Sequence, residues 1–179
     1  MLDIDAIYGL WYEEGSALRV LLRTHSELVA QKALECADRH CLDVDREFLE
    51  EAALLHDIGI VKTDAPGILC YGTEPYIRHG VIGREMLDGL GLHRHALVCE
   101  RHTGSGLTVT DIQEQHLPLP LRDMTPRSLE EELICYADKF YSKSGDFYRE
   151  KPLARVLKSL EKHGPETVAR FKAMHEKFG

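Results

Sequence analysis

The chain has 179 residues, 44% hydrophobic and 29% charged, which fits about one domain with a sizeable core and excludes disordered and fibrous classes. Its 22 basic and 30 acidic side chains leave a net charge of −8, which argues against nucleic-acid polymers and anionic membranes as partners. No apolar run approaches the ~18 residues of a membrane span. The acidic start Met1-Leu2-Asp3-Ile4-Asp5 is unlike a signal peptide, so a cytoplasmic location is expected. The five cysteines lack CxxC spacing and read as reduced thiols, with Cys36, Cys99 and Cys135 in apolar helical patterns.

Nearly every segment reads helical. A short apolar helix begins near Asp3 or Asp5 and reaches Leu10-Trp11, and Ser16 caps a second. In that second stretch His25, Leu28, Val29, Ala33, Cys36 and Ala37 recur at helical spacing, so His25 heads an inward stripe. Asp45 caps a helix whose apolar residues Phe48, Leu49, Ala52, Ala53 and Leu55 run into His56-Asp57 before Gly59 stops it. Residues 60–73 read as a loop. Pro75 is placed in the first turn of a helix carrying His79, Ile82, Gly83, Met86 and Leu90 on one face.

The next helix sets His95, Val98, Cys99 and His102 at i, i+3, i+4 and i+7 before Thr103-Gly104-Ser105-Gly106 breaks it. Asp111 and Glu114 suggest a capping box, and a Pro-marked loop follows through Pro118 and Pro120. Thr125-Pro126 opens a long helix with Ile134, Ala137, Asp138 and Tyr141 on one face. Two further helices, within about 152–178, cover the bundle, and no strand pattern stands out. The expected fold is all-α, one domain over 1–179, with the motif-bearing core at about 16–143.

Four histidines and two aspartates therefore face inward from five helices: His25, His56 with Asp57, His79, His102 and Asp138. Any one histidine alone is more often a hydrogen-bonded core residue. Six such groups buried together form an expensive core unless a cation joins them. Imidazoles mixed with carboxylates suit a transition ion better than magnesium, which prefers oxygen ligands and retained waters.

The segment Leu54-Leu55-His56-Asp57-Ile58-Gly59, with His25 upstream and Tyr136-Ala137-Asp138-Lys139 downstream, resembles the signature of the HD superfamily of metal-dependent phosphohydrolases. The extra histidines His79 and His102 resemble its dinuclear branch. His102-Thr103-Gly104 is similar to the branch containing symmetrical diadenosine tetraphosphate hydrolases. The turn Arg101 to Gly106 and the stretch Pro126 to Glu131 resemble small HD proteins of no assigned substrate.

This resemblance implies an enzyme cleaving a phosphate ester or anhydride of a small nucleotide-like substrate by metal-activated water. Two ions are implied, iron or manganese ahead of cobalt, zinc, nickel or magnesium. His25, His56 and Asp138 would hold one ion, His79 and His102 the other, and Asp57 would bridge. Lys139 and Lys62 are the expected catalytic cations, Lys62 standing two positions beyond the Ile60 that replaces a basic residue common in relatives. Arg78, Arg101 and Thr103 are weaker phosphate contacts, Lys143 is a further nearby cation, and the Gly104-Ser105-Gly106 turn could offer backbone donors. Alternatives are a mononuclear 5'-nucleotidase, a non-catalytic nucleotide or phosphate sensor, and an iron oxygenase. The remaining histidines show no constellation with the site, although His95 could approach His102.

Overall fold

In a computed structural model describing residues 1–179, helix starts follow side chains that satisfy the first free backbone N–H groups. Asp3 accepts from Ala6 N at the head of α1 (Ile4–Gly9), and Ser16 accepts from Arg19 N ahead of α2 (Ala17–Arg39). Asp45 accepts from Phe48 N before α3 (Arg46–Leu55). Then come α4 (His79–Asp88), α5 (His93–Arg101) and α6 (Val109–Glu114). The last three are α7 (Leu129–Asp138), α8 (Leu153–Glu161) and α9 (Pro165–Phe178).

Three boundaries differ from the sequence reading. The capping box at α6 is Thr108 with Asp111, because Thr108 accepts from Asp111 N while the Asp111 carboxylate accepts from Thr108 N. The α7 cap is Ser128, three residues after Thr125, since its hydroxyl accepts from Glu131 N. Pro75 does not open α4. It closes a short strand, and a 3-10 turn, Tyr76–Arg78, intervenes before His79.

The region expected to be a loop holds local structure. A 3-10 segment over Ile58–Lys62 leads into β1 (Thr63–Ala65). This strand pairs antiparallel with β2 (Cys70–Tyr71) and parallel with β3 (Glu74–Pro75), in the order β2-β1-β3. The fold is nonetheless all-α in class, with nine helices and this one small sheet.

Two apolar cores meet at a polar seam. One joins α2, α3, α7, α8 and α9 through residues such as Val29, Ala53, Ile134, Val156 and Phe171. The other gathers Tyr8, Leu22, Leu55, Ile58, Ile82 and Cys99 from α1, α2, α3, the 3-10 segment, α4 and α5. Each fully buried large apolar side chain contributes about 1.5–3 kcal/mol. That burial fixes the helices around the seam. His25 lies on α2 between Leu22 of one core and Val29 of the other, and His56-Asp57 lies between Leu55 and Ile58. Leu90, expected on the inner face of α4, falls beyond its end and is 42% exposed.

Glycine at two positions sets how closely the seam's walls approach. A Cβ on Gly59 would sit 2.1 Å from His79 O and 2.5 Å from Gly83 N. A Cβ on Gly80 would sit 2.6 Å from Cys99 O. Absent side chains therefore let the 3-10 segment and α5 pack against the α4 backbone, bringing His56-Asp57, His79 and His102 to one place.

Candidate metal centre

Three helices end at the seam. His56 caps the C-terminus of α3, His102 caps that of α5, and Asp138 is the last residue of α7. Free carbonyls at helix C-termini carry partial negative charge, so their convergence favours a cation before any carboxylate is counted. Asp57 follows directly on His56, His79 is the first residue of α4, and His25 comes from within α2.

The backbone orients three of the four rings in the same way. The Nδ1–H groups of His56, His79 and His102 donate to the carbonyl three residues back, on Ala53 at 2.6 Å, Tyr76 at 2.7 Å and Cys99 at 2.8 Å. With Nδ1 so engaged, Nε2 is the available ligand atom on each ring. The His79 and His102 Nε2 atoms lie 3.1 Å apart, and each is 3.4 Å from Asp57 Oδ1. On the other side His25 Nε2 is 2.9 Å from Asp138 Oδ1 and 3.3 Å from Asp57 Oδ2. His56 Nε2 stands 3.1 Å from Asp57 Oδ2.

These atoms form two ligand groups, His25-His56-Asp57-Asp138 and Asp57-His79-His102, with the ligand atoms of each within 4.8 Å of one another. All six residues are buried. The donor chemistry fits transition ions. Burial pushes His79 down to about 3 and lowers His102, so both rings are neutral with lone pairs facing each other, a repulsive arrangement that a shared cation relieves. His56 Nε2 and Asp57 Oδ1 also lack a hydrogen-bond partner. Uncompensated buried atoms of this kind are what coordination satisfies.

The carboxylate side of the cluster favours positive charge. Burial opposes the His56 imidazolium, but the Asp57 and Asp138 carboxylates outweigh it and lift its pKa to about 9. Burial also opposes the Asp57 charge, yet the Lys143 ammonium and His56 hold its carboxyl well below the usual carboxylate range. Lys139 and Lys143 overcome burial at Asp138 in the same direction.

Beyond the cluster a cavity of about 670 Å³ opens past His79, His102 and Asp138. Thr103 and Lys139 line it, and Lys139 Nζ lies 2.5 Å from Asp138 Oδ2. Lys143 reaches further inward, with Nζ 2.6 Å from Asp57 Oδ2. The other expected cations point elsewhere. Lys62 is exposed where the 3-10 segment turns into β1, outside the cavity lining. Arg78 pairs with Glu74 at 2.8 Å and donates to Pro118 O. Arg101 is neutralised by Glu131 at 2.9 Å. His95 pairs with Glu51 at 3.1 Å instead of approaching His102. In the glycine turn the Ser105 hydroxyl donates to Thr167 O at 2.7 Å, tying the turn to α9.

The sequence reading missed several lining residues. Tyr76 stacks on His79 with ring centroids 4.6 Å apart and also supplies the carbonyl that orients it. Its only sequence signal is an aromatic residue three positions before a ligand. Lys151, Lys162 and His163 complete the mouth from the chain after α7, where no periodicity connects them to the motif.

Comparison with known proteins places this geometry in a family. The HD domain family model matches residues 22–142, and the chain belongs to that family. A tRNA (cytidine(56)-2'-O)-methyltransferase of Picrophilus torridus is 32% identical over 158 residues, 87% of this chain and 41% of that protein. The protein of the same name from Thermoplasma volcanium is 27% identical over 177 residues, 98% of this chain and 46% of its own length. An uncharacterised protein of Methanocaldococcus jannaschii is 39% identical over 97 residues, 54% of this chain and 50% of that protein. The chain thus spans half or less of the length of these curated relatives, and no solved structure matches it. No helix is long and apolar enough to cross a membrane.

Proposed function

We propose that the chain is a dinuclear metal-dependent phosphohydrolase acting on a small, nucleotide-like phosphate ester or anhydride. The observation that carries this reading is Asp57, whose two oxygens face different ligand groups, Oδ1 toward His79 and His102 and Oδ2 toward His25 and His56. His25, His56 and Asp138 would complete one site, His79 and His102 the other. The resemblance to dinuclear HD proteins favours iron and manganese, and a mixed imidazole and carboxylate set accommodates both. When bound, such ions supply Lewis acidity and bring the pKa of water toward neutrality.

The protein's own groups do the rest. The three carbonyl-anchored imidazoles keep Nε2 aimed at the seam. The apolar packing behind them excludes bulk water and strengthens each electrostatic contact. Lys139 and Lys143 sit on ligand carboxylates and are placed to turn toward a phosphate entering from the cavity.

The tRNA methyltransferase relatives raise a second reading, in which the segment shared with this chain serves RNA modification. Methyl transfer has no need of six buried imidazole and carboxylate ligands. We read the segment as a module with its own chemistry, and RNA-derived nucleotides as candidate substrates. The test is a screen of manganese- and iron-loaded protein against mononucleotides, cyclic nucleotides, dinucleoside polyphosphates and p-nitrophenyl phosphate, reading released phosphate and product identity. Metal-dependent release from at least one member is expected. No release from any member, with methyl incorporation into tRNA from S-adenosylmethionine, would favour the second reading.

A further inference from the structure

The cavity reverses the charge of the molecule around it. The chain carries −8 overall, yet the lining includes four lysines, no arginine, no glutamate and a single aspartate, Asp138. Two of the lysines are engaged at the bottom, Lys139 on Asp138 and Lys143 on Asp57. The other two, half-buried Lys151 and exposed Lys162, line the cavity nearer solvent and form no ion pair with a carboxylate. Lys151 is anchored by its backbone, whose N–H donates to Phe140 O at 2.8 Å, so its position relative to the end of α7 is fixed. Both mouth lysines lie beyond residue 142, where the family match ends.

Two ammonium groups that line one cavity without carboxylate partners of their own are stabilised by an anion that enters it. The two tiers differ in depth. The inner pair faces the ligand cluster, and the outer pair meets whatever extends from it toward solvent. The cavity's volume of about 670 Å³ is in the range of small-molecule sites, and Ile77, Leu107 and Leu117 give it an apolar wall.

We propose that Lys151 and Lys162 form a second anion subsite, which binds a further phosphate adjoining the one held at the His/Asp cluster. The preferred substrates are then phosphoanhydrides or closely spaced bisphosphates, ahead of simple monoesters. Lysines suit this task because a flexible point charge adjusts to successive phosphate oxygens without a fixed fork geometry. The inference rests on the hydrolase reading only for the identity of the inner phosphate.

Non-hydrolysable probes test it. Manganese-loaded protein is titrated calorimetrically with methylphosphonate, methylenediphosphonate and propane-1,3-diphosphonate. Methylenediphosphonate is expected to bind about 10-fold or more tighter than methylphosphonate. In the Lys151→Gln/Lys162→Gln variant that ratio should fall to about twofold, with methylphosphonate affinity unchanged, and Lys162→Gln alone should give an intermediate loss. A preference for the propane spacing identifies a bisphosphate carried across a sugar, and a preference for the methylene spacing an anhydride. Equal affinities in the wild type overturn the proposal. So does tighter diphosphonate binding that persists in the double variant, because the second group would then sit on the metals. Activity separates the two readings: p-nitrophenyl phosphate turnover without diphosphonate preference sinks the subsite alone, whereas preference without turnover on any phosphate sinks the hydrolase reading alone.

Discussion

The ligand cluster and the cavity mouth lie side by side and are built by opposite means. Every cluster side chain is buried, and three of its rings are each fixed by a backbone carbonyl three residues away. At the mouth, Lys151 is half-buried and Lys162 exposed, and neither has a charged partner. The cluster falls within residues 22–142, shared with the HD domain family, and the outer mouth comes from the chain after it. Rigid convergence suits ions that demand fixed geometry, and adjustable cations suit a ligand whose length varies. On the proposed reading, chemistry belongs to the first region and selectivity to the second.

The sharpest way to break that division is Asp57→Ala, which removes the carboxylate common to both ligand groups. Elemental analysis should find fewer than one ion per chain in place of two, and phosphate release should fall by at least about 100-fold. Gly59→Ala tests whether close backbone approach assembles the cluster, since the new Cβ meets His79 O and Gly83 N. A loss of about 3 kcal/mol is expected. By calorimetry that appears as a drop in Tm of roughly 6–12 °C.

His102→Ala should empty the Asp57-His79-His102 group selectively. One ion should remain per chain, with turnover reduced about 10- to 100-fold while the fold persists by circular dichroism. The smallest effect is expected for Lys62→Ala. This side chain is exposed and outside the cavity, so stability should stay within about 0.5 kcal/mol and turnover within about twofold of the parent. A large loss there would move the chemistry toward the 3-10 segment and dissolve the contrast.

Much of the buried region was legible because helical periodicity and burial speak together. His25 stood at the head of an apolar stripe, and Asp138 was a lone carboxylate on an inward face. His56-Asp57 closed an apolar helix. The structure brings these residues together with His79 and His102. The three-stranded sheet was not legible, because strands of two or three residues have no period to detect, and Pro75 suits a strand end as well as a helix start. Cation placement was equally hidden. Lys62, Arg78 and Arg101 are close to ligands in sequence, but one turns outward and two are neutralised by Glu74 and Glu131. Lys151 and Lys162 reach the mouth only through the return of the chain past α7, a tertiary event without local signature.

The central claim is that one carboxylate joins two ligand groups. Anomalous diffraction from crystals of manganese-loaded protein tests it directly. The account predicts two peaks about 3.5–4 Å apart, with Asp57 between them and His79 and His102 on one side. A single peak, or ions bound away from Asp57, would contradict it.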